Sequence, residues 1–275
     1  AALVHDVGHW PFCHPIEDLR LAGIPSHEAF AGRFLTEGEI AQTIRSEWNI
    51  APEEVVALLT EAPTEPWAKI VSSMLSGPID IDKMDYLARD SLHAGVPYGR
   101  NFDQQRLIGS LCLNAHRDGI AITEKGKTAA EMMVFSRYVM FSEVYWHHAV
   151  RSATAMLQRA FFRLRGEFDS EALFLLTEQP FVDALSRWAV DSPVAELLDG
   201  LFGPRRRLYK RWLQLSLLQN AEDYGRLARK PYPWLVSVAK EVATELSRRT
   251  GKQVMPDDVL IDAPPAKLEV QFDVD

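Results

Sequence analysis

Ten residues near the start of the chain, His5-Asp6-Val7-Gly8-His9-Trp10-Pro11-Phe12-Cys13-His14, carry three histidines and a carboxylate. The adjacent His5-Asp6 pair offers one imidazole nitrogen and one carboxylate oxygen, a donor set suited to a divalent ion that assists hydrolysis. His5 and His9 stand four apart and share a face if the segment is helical. Gly8 and Pro11 would then break the helix and let the next turn bring His14 back toward the same cavity. A single buried histidine is ordinarily a core residue. Three with an aspartate, around a Gly/Pro break, point to metal or phosphate chemistry.

A second polar run lies far along the chain, at Asp80-Ile81-Asp82-Lys83-Met84-Asp85-Tyr86-Leu87-Ala88-Arg89-Asp90. On a helix, Asp82, Lys83, Tyr86, Arg89 and Asp90 form one stripe. A solvated face would explain the charges, but Ile81, Met84 and Leu87 surround the stripe with apolar residues. An exposed face rarely carries a tyrosine, and a loop with two glycines and a proline follows at once. A carboxylate remote in sequence is also what a His-Asp pair lacks as a metal site.

These two segments, in this order, resemble the HD-domain phosphohydrolases. His5-Asp6, His9, Pro11-Phe12 and His14 fit an H-D-x-G-H-x-P-F-x-H signature, and the run from Asp80 to Asp90 fits D-x-D-x-x-D-Y-x-x-R-D. Together they resemble the deoxynucleoside triphosphate triphosphohydrolase (dGTPase-like) branch. Phe102-Asp103, Arg106-Leu107-Ile108 and Val144-Tyr145-Trp146-His147 extend the similarity, which covers about residues 1–165. The resemblance implies metal ligands at His5, Asp6 and Asp82, for a divalent ion that could be Mn, Mg, Fe or Zn. It implies that His9 and His14 face the α-phosphate, that His27 supports proton transfer, and that Glu17 keeps a carboxylate beside them. Lys83 and Arg137 match phosphate-contacting cations, and Tyr86, Asp90 and Tyr145 match residues around the sugar. The expected activity is hydrolysis of deoxynucleoside triphosphates, dGTP among them, to deoxynucleoside and triphosphate. The alternatives are a nucleotide-binding regulatory module without catalysis, or hydrolysis of another nucleotide phosphoester. The family's fourth ligand is a histidine upstream of the His-Asp pair. The opening Ala-Ala-Leu-Val runs straight into that pair like the end of a buried helix, so the chain is expected to lack its natural start and that ligand with it. The resemblance also implies a homo-oligomer, dimer or tetramer, and leaves room for a regulatory nucleotide.

Composition narrows the classes. Lys and Arg number 30 against 38 Asp and Glu, for a net charge of -8, which argues against a surface devoted to nucleic acid but not against a local polyphosphate pocket. Two cysteines, Cys13 and Cys112, make no disulfide framework and fit a reducing cytoplasm. No apolar run approaches the length of a membrane span and no signal peptide is visible. Arg205-Arg206-Arg207 with Lys210 and Arg211 reads as a solvated or subunit-contact patch, with a regulatory nucleotide or nucleic acid as the sharper alternative. His147 and His148 point in different directions if helical, so they make a poor metal pair. His93 and His116 read as surface residues, and Cys13 shows no sign of a thiolate role.

The expected fold is mainly α. It comprises an HD helical core over 1–165, one β hairpin, and a C-terminal α-rich region over 166–275 with a few short strands. Ser26 opens a helix through Phe30, Phe34 and Leu35, and Pro52-Glu53-Glu54 opens another. Apolar spacing predicts helices over 67–75, 79–92, 128–165, 173–201, 209–218 and 231–249. Leu111, Leu113, Ile120 and Ile122 flank Arg117-Asp118-Gly119, a hairpin signal. The Val-, Ile- and Pro-rich tail over 254–274 is expected to form strands.

Overall fold

Helical spacing dominates the sequence, and in the computed structural model, which describes residues 1–216 and 219–263, the architecture is mainly α with one antiparallel hairpin. In chain order the helices are α1 (Cys13–Glu17), α2 (His27–Thr36), α3 (Gly38–Trp48), α4 (Pro52–Thr60), α5 (Pro66–Ser76), α6 (Ile81–Ala94) and α7 (Gln104–Ile108). After the hairpin strands β1 (Leu111–Leu113) and β2 (Ile120–Ile122) come α8 (Lys127–Met140) and α9 (His148–Leu164). The series ends with α10 (Ser170–Phe174), α11 (Glu178–Trp188), α12 (Ala195–Phe202), α13 (Ala221–Leu227) and α14 (Tyr232–Thr250). Two compact units share the chain. The first takes Ala1–His9 and His27–His147, the second Trp10–Ser26 and residues 148–263.

The first unit holds two apolar clusters, and each anchors one half of the candidate chemistry. Ala31, Leu35 and Val55 form the centre of one, with Val4, Val7, Ile40 and Ile44 packed on it. Val4 and Val7 bracket His5-Asp6, so burial of these two valines fixes the pair on α2 and α4. In the other cluster, Met84 and Leu87 of α6 meet Leu107, Ile122, Met133 and Met140. The face of α6 that carries Met84, Leu87 and Ser91 is buried, and Asp82, Tyr86 and Asp90 repeat at every fourth residue on a different face. Asp80 caps the start of α6, and Gly95 ends it with a left-handed φ of 68° that glycine adopts without a Cβ clash. The hairpin pairs Leu111 with Ile122 and Leu113 with Ile120, with Arg117 at φ 56° in its turn.

In the second unit, α9 is buried along most of its length. Ile16 of α1 is fully buried, and Gln158 of α9 donates to the Pro15 carbonyl at 2.8 Å. Phe12 sits at φ 57°, an uncommon conformation for a bulky residue, and its ring meets Phe181 and Phe202 at 5.9 and 5.4 Å between centroids. Trp10 stacks on Phe174 at 4.1 Å. Arg159, at 1% exposure, is neutralised by Asp257 at 2.9 Å and also donates to the Pro256 carbonyl.

Several elements differ from the sequence expectation. The helix expected over 128–165 is two helices, parted by a π-helical turn at Phe141–Tyr145. Ring contacts of Phe141 with Tyr145 and Trp146 accompany the widened turn, at 5.0 and 5.9 Å. The stretch 173–201 is three helices. Asp191 at φ 61°, followed by Pro193 two residues on, stops α11 from running into α12. Residues 209–216 are not helical, because Tyr209 is bound from distant segments. Ser152 donates to its carbonyl at 2.6 Å, and its hydroxyl reaches the Asp257 carbonyl at 3.3 Å. Residues 254–263 contain one 3-10 turn, Pro256–Asp258, and no strand; the rest of the tail lies outside the described residues. Helix α3 had no sequence signal strong enough against its charge, yet Ile40 and Ile44 pack on the first cluster. Among the described residues no helix is long and apolar enough to cross a membrane.

Candidate active site

The segment from Ala1 to His9 is a series of turns rather than a helix. That changes how His5 is held. Its Nδ1 lies 2.8 Å from the Ala2 carbonyl, and since a carbonyl only accepts, Nδ1 carries the proton and donates. In the neutral form that a metal ligand requires, the lone pair would then sit on Nε2. Nε2 faces carboxylate oxygens of Asp6 at 3.2 Å and Asp82 at 3.4 Å. Three electron-rich atoms, one from each residue, lie within 4.8 Å of one another. Such an arrangement calls for positive charge among them. Two carboxylates and a neutral imidazole match a divalent ion in charge and in ligand preference, so the residues fit the cation the resemblance implies. The Nδ1–H···O=C bond is the usual outer support of a metal-binding imidazole.

Gly8 lets this loop approach α2. A Cβ at Gly8 would fall 2.1 Å from the His27 carbonyl oxygen and 2.5 Å from the Ala31 nitrogen, both backbone atoms that cannot swing aside. Gly8→Ala is expected to cost about 2–3 kcal/mol in urea unfolding through overpacking and to weaken metal binding by lifting His5 and Asp6 off α2. A melt and metal affinity equal to the parent's would show that the loop adapts freely.

Two more of the candidate site histidines, His9 and His27, lie in the same unit. His9 directs Nδ1 at the Asp6 carbonyl, 3.2 Å away, and its ring lies 3.9 Å from that of His27 at 31°. His27 is the first residue of α2, with Nε2 3.3 Å from Glu28. His14 and Glu17 stand on α1 of the second unit, His14 exposed and Glu17 half-buried.

Tyr86, Asp90, Arg137 and Tyr145 are brought together. Tyr145 donates to Asp90 at 2.6 Å, its ring meets Tyr86 edge-on at 6.3 Å, and the charge of Arg137 acts on the Tyr86 hydroxyl, opposing the effect of its burial. The π turn makes this possible. Eight residues of regular α-helix make about 2.2 turns and would leave Tyr145 off the Arg137 face, whereas one i→i+5 turn brings the count back to about two. Burial, then the bond to Asp90, raises the Tyr145 phenol far above the ordinary tyrosine value, and burial also raises Tyr86. Both hydroxyls stay protonated and act as donors or acceptors, not bases. Arg137 lies over Phe141 at 5.4 Å, and its buried Nε has no hydrogen-bond partner among the described residues.

Lys83 is placed differently from a free phosphate-binding cation. Its ammonium pairs with Asp80 and donates to the Gly77 carbonyl at 3.1 Å. Asp80 is the residue that sequence reasoning passed over, although an aspartate directly before a helix is a cap signal. Burial raises its carboxyl above the ordinary aspartate value, and the Lys83 contacts offset only part of that.

Known proteins place the chain. The Bacillus subtilis (strain 168) protein YwfO, itself uncharacterized, is 35% identical over 175 residues, 63% of this chain and 38% of that protein. The Gallus gallus deoxynucleoside triphosphate triphosphohydrolase SAMHD1 is 26% identical over 260 residues, 76% of this chain and 41% of that protein. This chain thus spans about two fifths of the length of either relative. A solved structure of a hypothetical protein from Aquifex aeolicus superposes with a TM-score of 0.64 at 28% identity, covering 82% of this chain and 58% of that one. Residues 102–274, a span that includes Arg137, the π turn and Tyr145, match the family described as the HD associated region. The match takes in more than half of the sequence, and the chain belongs to that family.

Proposed function

We propose that the protein hydrolyses deoxynucleoside triphosphates to deoxynucleoside and triphosphate with a divalent metal ion. The observation that carries this reading is the convergence of His5 Nε2 with carboxylate oxygens of Asp6 and Asp82, the last on the helix that also presents Tyr86 and Asp90. The SAMHD1 relative, which bears that activity in its name, adds support at 26% identity. His5, Asp6 and Asp82 would hold the ion, which supplies Lewis-acid charge for activating water and for neutralising phosphate oxygens.

The chain's own residues do the rest. Water adds to the α-phosphorus and the bond from phosphorus to the 5′ oxygen breaks, so triphosphate leaves intact and the 5′ oxygen takes up a proton. Arg137, half-buried and set over Phe141, would present guanidinium N–H groups to phosphate oxygens bidentately. Tyr86 and the Tyr145–Asp90 pair would wall the deoxyribose. His9 would face the α-phosphate and His27, whose ring lies 3.9 Å from it, would support proton transfer, as the resemblance implies. The proton to the 5′ oxygen falls to His14, supported by Glu17, on the strength of the resemblance. Lys83 would reach phosphate only by exchanging Asp80 for it.

The test is a product assay with full-length protein, Mn²⁺ and each of the four deoxynucleoside triphosphates. Release of deoxynucleoside and unbroken triphosphate is the expected result. Nucleotide binding without turnover would favour the regulatory module, and monophosphate or orthophosphate products would favour a different phosphohydrolase.

A further inference from the structure

We infer that Asp80 is a positioning residue for the ion site at His5, Asp6 and Asp82, acting through the first turn of α6 and never touching the ion. The inference rests on the metal reading above. Asp80 is 2% exposed, and both carboxylate oxygens are engaged by one residue. Oδ1 accepts the Lys83 backbone N–H at 2.7 Å, and Oδ2 takes the Lys83 ammonium. The ammonium donates onward to the Gly77 carbonyl at 3.1 Å, tying the turn to the loop before it.

Asp82 lies between these two anchors, because α6 begins at Ile81 and Lys83 is its third residue. With Asp80 and Lys83 both fixed, the backbone of Asp82 has no freedom to rotate, and its carboxylate stays at 3.4 Å from His5 Nε2. The side chain of Asp82 itself is 37% exposed, so packing does not hold it in place. Charge adds a second effect. A lysine next to a metal-binding aspartate repels the cation, and the buried Asp80 carboxylate cancels that repulsion. A helix start alone would need only a neutral serine or threonine cap, and a buried carboxylate is costly unless paired. The Asp80–Lys83 pair therefore does more than begin a helix.

Mn²⁺ affinity, read by electron paramagnetic resonance without substrate, tests this. Asp80→Ala should raise the Mn²⁺ Kd by about 10–100-fold, the usual effect of losing an outer support of a metal ligand. Asp80→Asn keeps the cap acceptor and loses the tether, so its Kd should rise by only about three- to tenfold, and it carries the test if the alanine variant does not fold. Asp103→Ala is the control for a generally weakened unit. It removes the same kind of backbone cap, accepted from Arg106 N–H at 2.9 Å at the start of α7, on a helix that carries none of the three ion ligands. Its Kd should stay within about twofold of the parent's. An unchanged Kd in the Asp80 variants, or an equal loss in Asp103→Ala, overturns the inference while leaving the ion site standing. A parent protein that takes up no Mn²⁺ overturns the metal reading and the inference together.

Discussion

Asp82→Ala is expected to abolish metal-dependent turnover and to weaken Mn²⁺ binding by at least about 100-fold, more than losing an outer support costs. Among the described residues, three ligand atoms gather at this point, from His5, Asp6 and Asp82. Removing one leaves an imidazole and a single carboxylate, which bind a divalent ion weakly and with the wrong charge balance. Folding should survive, because Asp82 is partly exposed and the buried face of α6 belongs to Met84, Leu87 and Ser91. Circular dichroism and a thermal melt on the same sample separate loss of the ion from loss of the fold. A folded Asp82→Ala protein with parental Mn²⁺ affinity would remove Asp82 from the ligand set.

The second large effect is expected at Arg137. Arg137→Ala should lower kcat by about 10²–10³-fold, as removal of a preorganised group facing developing charge does. The side chain is set over Phe141 with its Nε buried, so it is oriented before any nucleotide arrives. Arg137→Lys keeps the charge and loses the planar fork, and should recover little of the rate. Metal binding should be unaffected by either change, because neither touches His5, Asp6 or Asp82. A kcat within a few-fold of the parent, or a defect confined to KM, would place Arg137 in uniform substrate binding and not in catalysis.

Much of this was legible in the sequence, and the reasons differ by element. Helix α6 and the hairpin are locally encoded: apolar residues around a polar stripe and a glycine-rich loop after it mark the first, though the Asp80 cap that sets its start at Ile81 was passed over, and Arg117-Asp118-Gly119 between apolar pairs marks the second. The gathering of His5 with Asp6 and Asp82 was legible because residue types announce a donor set wherever they meet. How His5 is held was not, since its partner is the Ala2 carbonyl and any residue could supply a carbonyl. The π turn was equally hidden. No Gly or Pro marks it, and the aromatic contacts that accompany it join Phe141, Tyr145 and Trp146, which fit a regular helix just as well on paper. Lys83 shows the limit most clearly. Its spacing from Asp80 is visible in the sequence, but the burial that turns that spacing into a committed pair depends on the loop at Gly77.

Oxygen-18 tracing tests the central claim most directly. Full-length protein would be incubated with Mn²⁺ and a deoxynucleoside triphosphate in ¹⁸O-labelled water, and the products weighed by mass spectrometry. Water adding at the α-phosphorus places one labelled oxygen in the released triphosphate and none in the deoxynucleoside. Label in the deoxynucleoside, or in orthophosphate or pyrophosphate, would contradict the account.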